Sequence, residues 1–407
     1  MCDVVGKAYA AGLSRRGFLG ASGAVAAGAL LAGVPAGAAA HAAEGPKGPA
    51  PVTLGKPLQG YRTRVVLLGT AGGPVWWPNT DRKGISTAIA VGDRVYLVDC
   101  GDGFGHRFRQ TDLAGPTLQT SGATTLNRLQ GVFLTHLHSD HVIDYASIPV
   151  LGLFAGLQQP RPEPVHAFGP GNRGRLPDVL PPGRPAPPVI SPANPTPGTA
   201  EMTELLYAAF ATDLNDRMRD SGAPDPHTRF VPHDIALPAG SNDPTKHPPP
   251  RVSPWLVHED DAVKVTATLV DHGQVFPSFG FRFDTDDGSI VISGDTAPSD
   301  NLVELAQGAD VLCHEVIDPA YIQLLFGPPP YPPDVQAIVD HLINAHTTIE
   351  DVGPIADRAG VPTLVLHHYV PGNGTRETWM QAQATYSGQL VVGEDLMQIG
   401  VGARTKA

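Results

Sequence analysis

The segment Gly131 to His141, GVFLTHLHSDH, constrains this chain more than any other. A short apolar run, Val132-Phe133-Leu134, ends at Thr135. Four metal-binding side chains then fall within six residues: His136, His138, Asp140 and His141. The apolar run reads as a buried strand and the polar cluster as the loop that leaves it. Chain next to a strand end is held rigidly, which suits a metal, because ligands must be in place before the ion arrives. His136 and His138 are two apart, so an extended segment points both imidazoles to one side. Asp140 and His141 follow where the chain turns into a helix and can face a second point nearby. The cluster has the form of half a two-metal site. A solvated turn explains one histidine but not three with an aspartate at this spacing.

Later strand ends offer the other half. His272 follows the alternating run Val263 to Val270, Asp295 ends a strand in SGDT, and His368 ends another in LVLHHY. A carboxylate can bridge two cations, since its two oxygens reach both and its charge offsets theirs. Asp295 is the natural bridge. Zinc with His and Asp ligands and an open water position is a catalytic arrangement, and two ions can clamp a reacting group.

THLHSDH resembles the HxHxDH signature of the metallo-β-lactamase superfamily. TLVDHGQVFPSFGFRF, SGDT and HTTIEDVGPIADRAGVPTLVLHHY resemble the later motifs of its ribonuclease Z and arylsulfatase-like branch. The resemblance spans about residues 62–369, outside one insertion. It implies an α/β fold, the four-layer αββα sandwich. It implies two divalent ions, zinc first, with Mn2+ or Fe2+ as alternatives. One ion would take His136, His138, His272 and Asp295, and the other Asp140, His141, Asp295 and His368. His367 competes with His368, and the family pattern favours His368. Asp140 would orient or deprotonate the nucleophile. His346, near the ions but not a ligand, would contact the substrate or the transition-state charge, stabilising the departing or a non-bridging oxygen or acting as a general acid. Asp99 and Glu315 would support the ligands by hydrogen bonds. Trp76, Trp77 and Phe276 are candidates for a substrate wall.

The N-terminus suggests a destination. Ser14-Arg15-Arg16-Gly17-Phe18-Leu19 is a twin-arginine pattern, followed by an Ala/Gly-rich apolar run and small residues offering cleavage sites. Residues 1–43 are expected to be an export signal read by the twin-arginine machinery, giving a secreted or periplasmic protein. The run is too short and weakly apolar for a stable membrane span. Residues 44–60 are expected to be a flexible lead-in, and residues 61–407 a single hydrolase domain. Pro-rich segments mark an insertion over about residues 173–257. It holds a helical stretch from Ala200 to Arg219 and lies over the rim of the pocket. Its histidines, His227, His233, His247 and His258, have no paired spacing and read as surface or rim residues. Cys100 and Cys313 end apolar runs and read as buried thiols.

The net charge is −12, and cleavage after residue 43 would leave the chain more acidic still. A basic surface for nucleic acid is therefore not expected. The first expectation is an exported hydrolase using metal-activated hydroxide on small phosphate or sulfate esters, with a homodimer as the candidate assembly. Lactone or carboxylic ester hydrolysis and a ribonuclease Z-like phosphodiesterase are the alternatives. From other classes come an iron-dependent redox member and a non-catalytic metal-binding module.

Overall fold

The computed structural model describes residues 50–115, 122–158 and 163–403. The twin-arginine segment lies outside the described residues. The strands form two mixed sheets. The first has the order β1 (Val52–Leu54), β15 (Met397–Val401), β2 (Thr63–Gly69), β3 (Ser86–Val91), β4 (Arg94–Val98), β5 (Leu129–Phe133), β6 (Val165–Gly169), β7 (Phe230–Asp234). The second has the order β14 (Gln389–Val392), β13 (Thr363–Val370), β12 (Val311–Ile317), β11 (Gly288–Ile292), β10 (Phe279–Thr285), β9 (Lys264–Leu269), β8 (Trp255–Glu259).

Several strands are apolar on both faces, which requires cover on both sides. Val65 and Leu67 of β2 face Phe281 and Phe283 of β10 in the core between the sheets. Val66 and Leu68 point the other way, beneath Phe104 and Phe108 of helix α1 (Phe104–Arg109) and beneath Tyr145. Behind the second sheet, Val291, Leu312 and Leu364 pack under Leu302 and Leu305, and under Val352 and Ile355. These three cores separate four layers, helix, sheet, sheet, helix, as expected.

Several helices are shorter than the sequence suggests. The stretch Val142 to Phe154, which the sequence alone reads as one helix, is broken into α2 (Ser139–Val142), α3 (Ser147–Leu151) and a π-turn at Leu153–Leu157, where Gly156 has φ +132°. The stretch from Ala200 to Arg219 is two helices, α4 (Thr199–Ala209) and α5 (Ala211–Asp220), divided at Phe210. The remaining helices are α6 (Asp300–Leu305), α7 (Pro319–Phe326), α8 (Pro333–Asn344), α9 (Ile349–Ala359) and α10 (Arg376–Trp379).

The Pro-rich span is woven into the sandwich. Within it, β7 extends the first sheet by parallel pairing with β6, and β8 begins the second by antiparallel pairing with β9. Val52–Leu54, inside the expected lead-in, pairs with β15. These strands are short and lie beside or contain proline (Pro51, Pro232, Pro254), which masks them in the sequence, and pairing partners distant in sequence supply the missing contacts. Strands β11 to β14 run parallel, so the carboxyl ends of β11, β12 and β13 meet at one edge, where loops can assemble a site.

Candidate metal centre

The loop after β5 carries His136 and His138, and α2 carries Asp140 and His141. The loops after β9 and β11 bring His272 and Asp295, and β13 brings His368. The ligand atoms of His136, His138 and His272 lie within 4.8 Å of one another, as do those of Asp140, His141, Asp295 and His368. Asp295 joins the two groups. Its Oδ1 is 3.2 Å from His368 Nε2, and its Oδ2 is 3.3 Å from His141 Nε2 and 3.9 Å from both His136 Nε2 and His272 Nε2. His141 Nε2 and His368 Nε2 are 3.1 Å apart.

Three of the rings, those of His136, His141 and His272, are aimed by their other nitrogen. The His141 Nδ1–H donates to Asp99 Oδ2 at 2.8 Å, and the His272 Nδ1–H donates to the Ala345 carbonyl at 2.8 Å. Asp99 also accepts from the Thr135 backbone N–H (2.8 Å) and hydroxyl (2.9 Å). The Thr135 oxygen then accepts from His136 Nδ1 at 3.1 Å. These bonds leave the Nε2 lone pairs of His136, His141 and His272 for the centre. Gly73 N–H donates to Asp140 Oδ2 at 2.8 Å.

His368 reaches the centre through a distortion of its strand. Glu315 of β12 faces His367 and Val316 faces Tyr369, so His368 is the extra residue of a β-bulge. Its φ is +47°, a left-handed conformation costly for a side chain with a Cβ. The bulge turns His368 inward, while His367 Nδ1 lies 3.3 Å from Thr87 Oγ1. Gly72 packs against the His368 ring, where a Cβ would lie 2.4 Å from ring atoms. In the SGDT turn, Gly294 has φ +62°, and a Cβ there would sit 2.5 Å from the Phe279 carbonyl.

No family model matches the chain. Ribonuclease Z of Mycobacterium bovis is 32% identical over 348 residues, covering 84% of this chain and 99% of that protein. Ribonuclease Z of Mycolicibacterium gilvum is 31% identical over 346 residues, 83% of this chain and 96% of its own length. The chain belongs to the ribonuclease Z family. The short form of human tRNase Z has the same fold, with a TM-score of 0.52 at 18% identity over 84% of this chain and 100% of its own. The chain is therefore a hydrolase of the metallo-β-lactamase fold.

The donor set suits the divalent metals of this family. Two atoms pointing into the centre, His136 Nε2 and Asp295 Oδ1, are buried without a hydrogen-bond partner, and a cation would satisfy both. Burial holds His136, His138 and His272 below the ordinary imidazole range, so they are neutral, as a metal ligand must be. For His141 burial pulls the same way, but Asp295, Asp99 and Asp140 outweigh it and raise the ring. Burial would also favour neutral forms of Asp140 and Asp295, yet the neighbouring histidines keep both carboxylates ionised.

Beside the centre, His346 Nδ1–H donates to Glu315 Oε1 at 2.9 Å, and the same oxygen accepts from Thr296 N–H at 2.8 Å. Burial lowers His346, but Glu315, Asp295 and Asp140 prevail and raise it from 6.5 to about 9. His346 lies next to Asp295 and His272.

The three proposed wall residues differ in their surroundings. Phe276 is buried in the core between the sheets, so it packs the fold and does not line a substrate path. Trp76 is 89% exposed. Trp77 stacks edge-on with Tyr321 and donates its indole N–H to the Gly72 carbonyl at 2.8 Å, which braces the turn touching His368 and Asp140. The insertion histidines sit apart from the metal groups: His227 pairs with Asp225 and Glu204, and His233 with His166.

One residue near the centre was not singled out from the sequence. His341, on α8, has its ring centroid 5.7 Å from that of His272 and 6.1 Å from that of His346. Its only sequence signal is its place five residues before His346. Cys100 and Cys313 are free and buried, and burial raises both thiols.

Proposed function

We propose that this chain hydrolyses phosphodiesters with two divalent metal ions. The observation that carries the reading is one buried carboxylate, Asp295, lying 3.9 Å from His136 and His272 of one ligand group and 3.2–3.3 Å from His368 and His141 of the other, in a chain of the ribonuclease Z family. His136, His138, His272 and Asp295 would hold one ion, and Asp140, His141, Asp295 and His368 the other. Bound zinc, or manganese or iron in its place, would acidify water and offset the charge of the phosphate.

The chain's own groups then divide the remaining work. Asp140, kept ionised by its histidine neighbours, is placed to orient the attacking water or accept its proton. Water oxygen bonds to phosphorus and one ester P–O bond breaks. His346 gives the proton on its Nε2 to the departing oxygen, and Glu315 holds the ring through Nδ1. The products are a phosphomonoester and an alcohol. Relatives named ribonuclease Z favour a phosphodiester over the sulfate, lactone and carboxylic esters that the sequence also allowed. They also speak for a hydrolase over the redox and non-catalytic alternatives.

A panel of chromogenic substrates tests this. The zinc- or manganese-loaded chain should turn over bis(4-nitrophenyl) phosphate at least ~10-fold faster than 4-nitrophenyl phosphate, 4-nitrophenyl sulfate, lactones or 4-nitrophenyl acetate above background. A sulfate or lactone turned over faster than the diester would sink the reading.

A further inference from the structure

Beside the centre lies an open cleft of about 370 Å³. One wall is Leu180, Pro181 and Pro182, from the Pro-rich span, and the opposite wall is the α8 face carrying Ala337, Asp340 and His341. Its floor includes Gly273 and Ala345. Gly273 follows His272, and the Ala345 carbonyl accepts the His272 Nδ1–H. The floor is thus made of the two loops that place His272 and His346, and His341 stands between the cleft and the metal ligands. The Pro-rich wall is tied to the same floor. Asp178 N–H donates to Gln274 Oε1 (2.6 Å), Gln274 Nε2 donates to the Asp178 carbonyl (3.3 Å), and Arg173 Nη1 donates to the Gln274 carbonyl (3.0 Å).

The chemistry of the walls selects the occupant. Leu180 is 43% exposed, an apolar side chain turned to an opening instead of a core. Among the described residues, none that lines the cleft is a lysine or arginine, and Asp340 adds a negative charge. A polynucleotide continuing into this space would bring further phosphates to Asp340 and to a lining without Lys or Arg, beside which the Arg173 guanidinium is already bonded to the Gln274 carbonyl. The span of residues 173–257 as a whole carries eight Lys and Arg against nine Asp and Glu, so it supplies no basic arm. An uncharged, mainly apolar group gains by leaving water there.

We propose that the cleft is the leaving-group subsite and takes an uncharged aryl or alkyl group esterified to the phosphate. This rests on the phosphodiesterase reading above. The lining residue Ala345 precedes His346 in the chain, and the lining residue His341 has its ring centroid 6.1 Å from that of His346, the group assigned above to the departing oxygen, so the departing alcohol is the part of the substrate placed in the cleft. The Pro-rich span then sets specificity by supplying the apolar wall.

Binding of two inert, singly charged analogues to the metal-loaded full chain tests the cleft directly. Calorimetry should give diphenylphosphinate a Kd at least ~10-fold lower than dimethylphosphinate. Ala337→Trp, which fills the cleft from a half-buried position on α8, should remove most of that preference. Leu180→Ala, on the other wall, should reduce it several-fold and covers the case in which the tryptophan variant fails to fold. Equal Kd values in the wild type, or a preference unchanged in both variants, overturn the proposal. So does a precursor tRNA cleaved with a kcat/KM above that of bis(4-nitrophenyl) phosphate and insensitive to both variants. Diester turnover without an aryl preference removes only the cleft assignment. Absence of metal-dependent diester turnover removes the underlying phosphodiesterase reading.

Discussion

At the residue scale, the centre depends on side chains that never touch an ion. Asp99 fixes His141 and, through Thr135, His136, so one carboxylate orients ligands in both groups. Asp99→Asn keeps the shape but cannot accept as strongly, and should weaken metal affinity by about 10- to 100-fold, measured by competition with a chelator. His346 gives the pH dependence. Its pKa in the fold is raised from 6.5 to about 9, so the protonated form dominates through neutrality and is lost as pH rises through about 9. The same shift stabilises the fold fully below the unfolded value and progressively less as pH passes the raised one. A pH profile of kcat should therefore show an alkaline limb near 9. Glu315→Gln, which removes the principal raising partner, should move that limb to lower pH. An unmoved limb would assign it to another group.

At the element scale, the decisive feature is the bulge in β13. The sequence leaves two adjacent histidines as rivals, and periodicity alone would give them opposite faces without saying which face holds the metals. The register with β12 skips His368 and gives it a positive φ, a long-range property that no local pattern encodes. By contrast, His136, His138, His272 and Asp295 were legible because each follows an apolar run that could only be a buried strand. Phe276 was misread because its neighbours in sequence are ligand loops, while its side chain belongs to the core between the sheets. His341 carried no signal because its partners come from other elements. Gly72→Ala tests the bulge's packing. A Cβ 2.4 Å from the His368 ring must displace it, so this variant should lose the ion held by His368 and at least ~10-fold in activity while the fold persists. Metal analysis together with circular dichroism reads both.

At the scale of the whole molecule, the four layers follow from strands apolar on both faces, such as RVVLL and STAIAV, and the expectation of them comes with the resemblance carried by the ligand motifs. The strands of the Pro-rich span were not legible, because β7 and β8 become strands only by pairing with β6 and β9. Export is a separate proposal carried by residues 1–43. A reporter fused to them should leave the cytoplasm, and Arg15→Lys with Arg16→Lys should retain it; export unaffected by that pair would refute the twin-arginine route. Among the described residues, no helix is long and apolar enough to cross a membrane. The central claim is a two-ion centre bridged by Asp295, and elemental analysis of the purified chain beside Asp295→Ala tests it most directly. The wild type should hold about two divalent ions per chain and the variant fewer than one. One iron with no second metal, or two ions retained without Asp295, would contradict it.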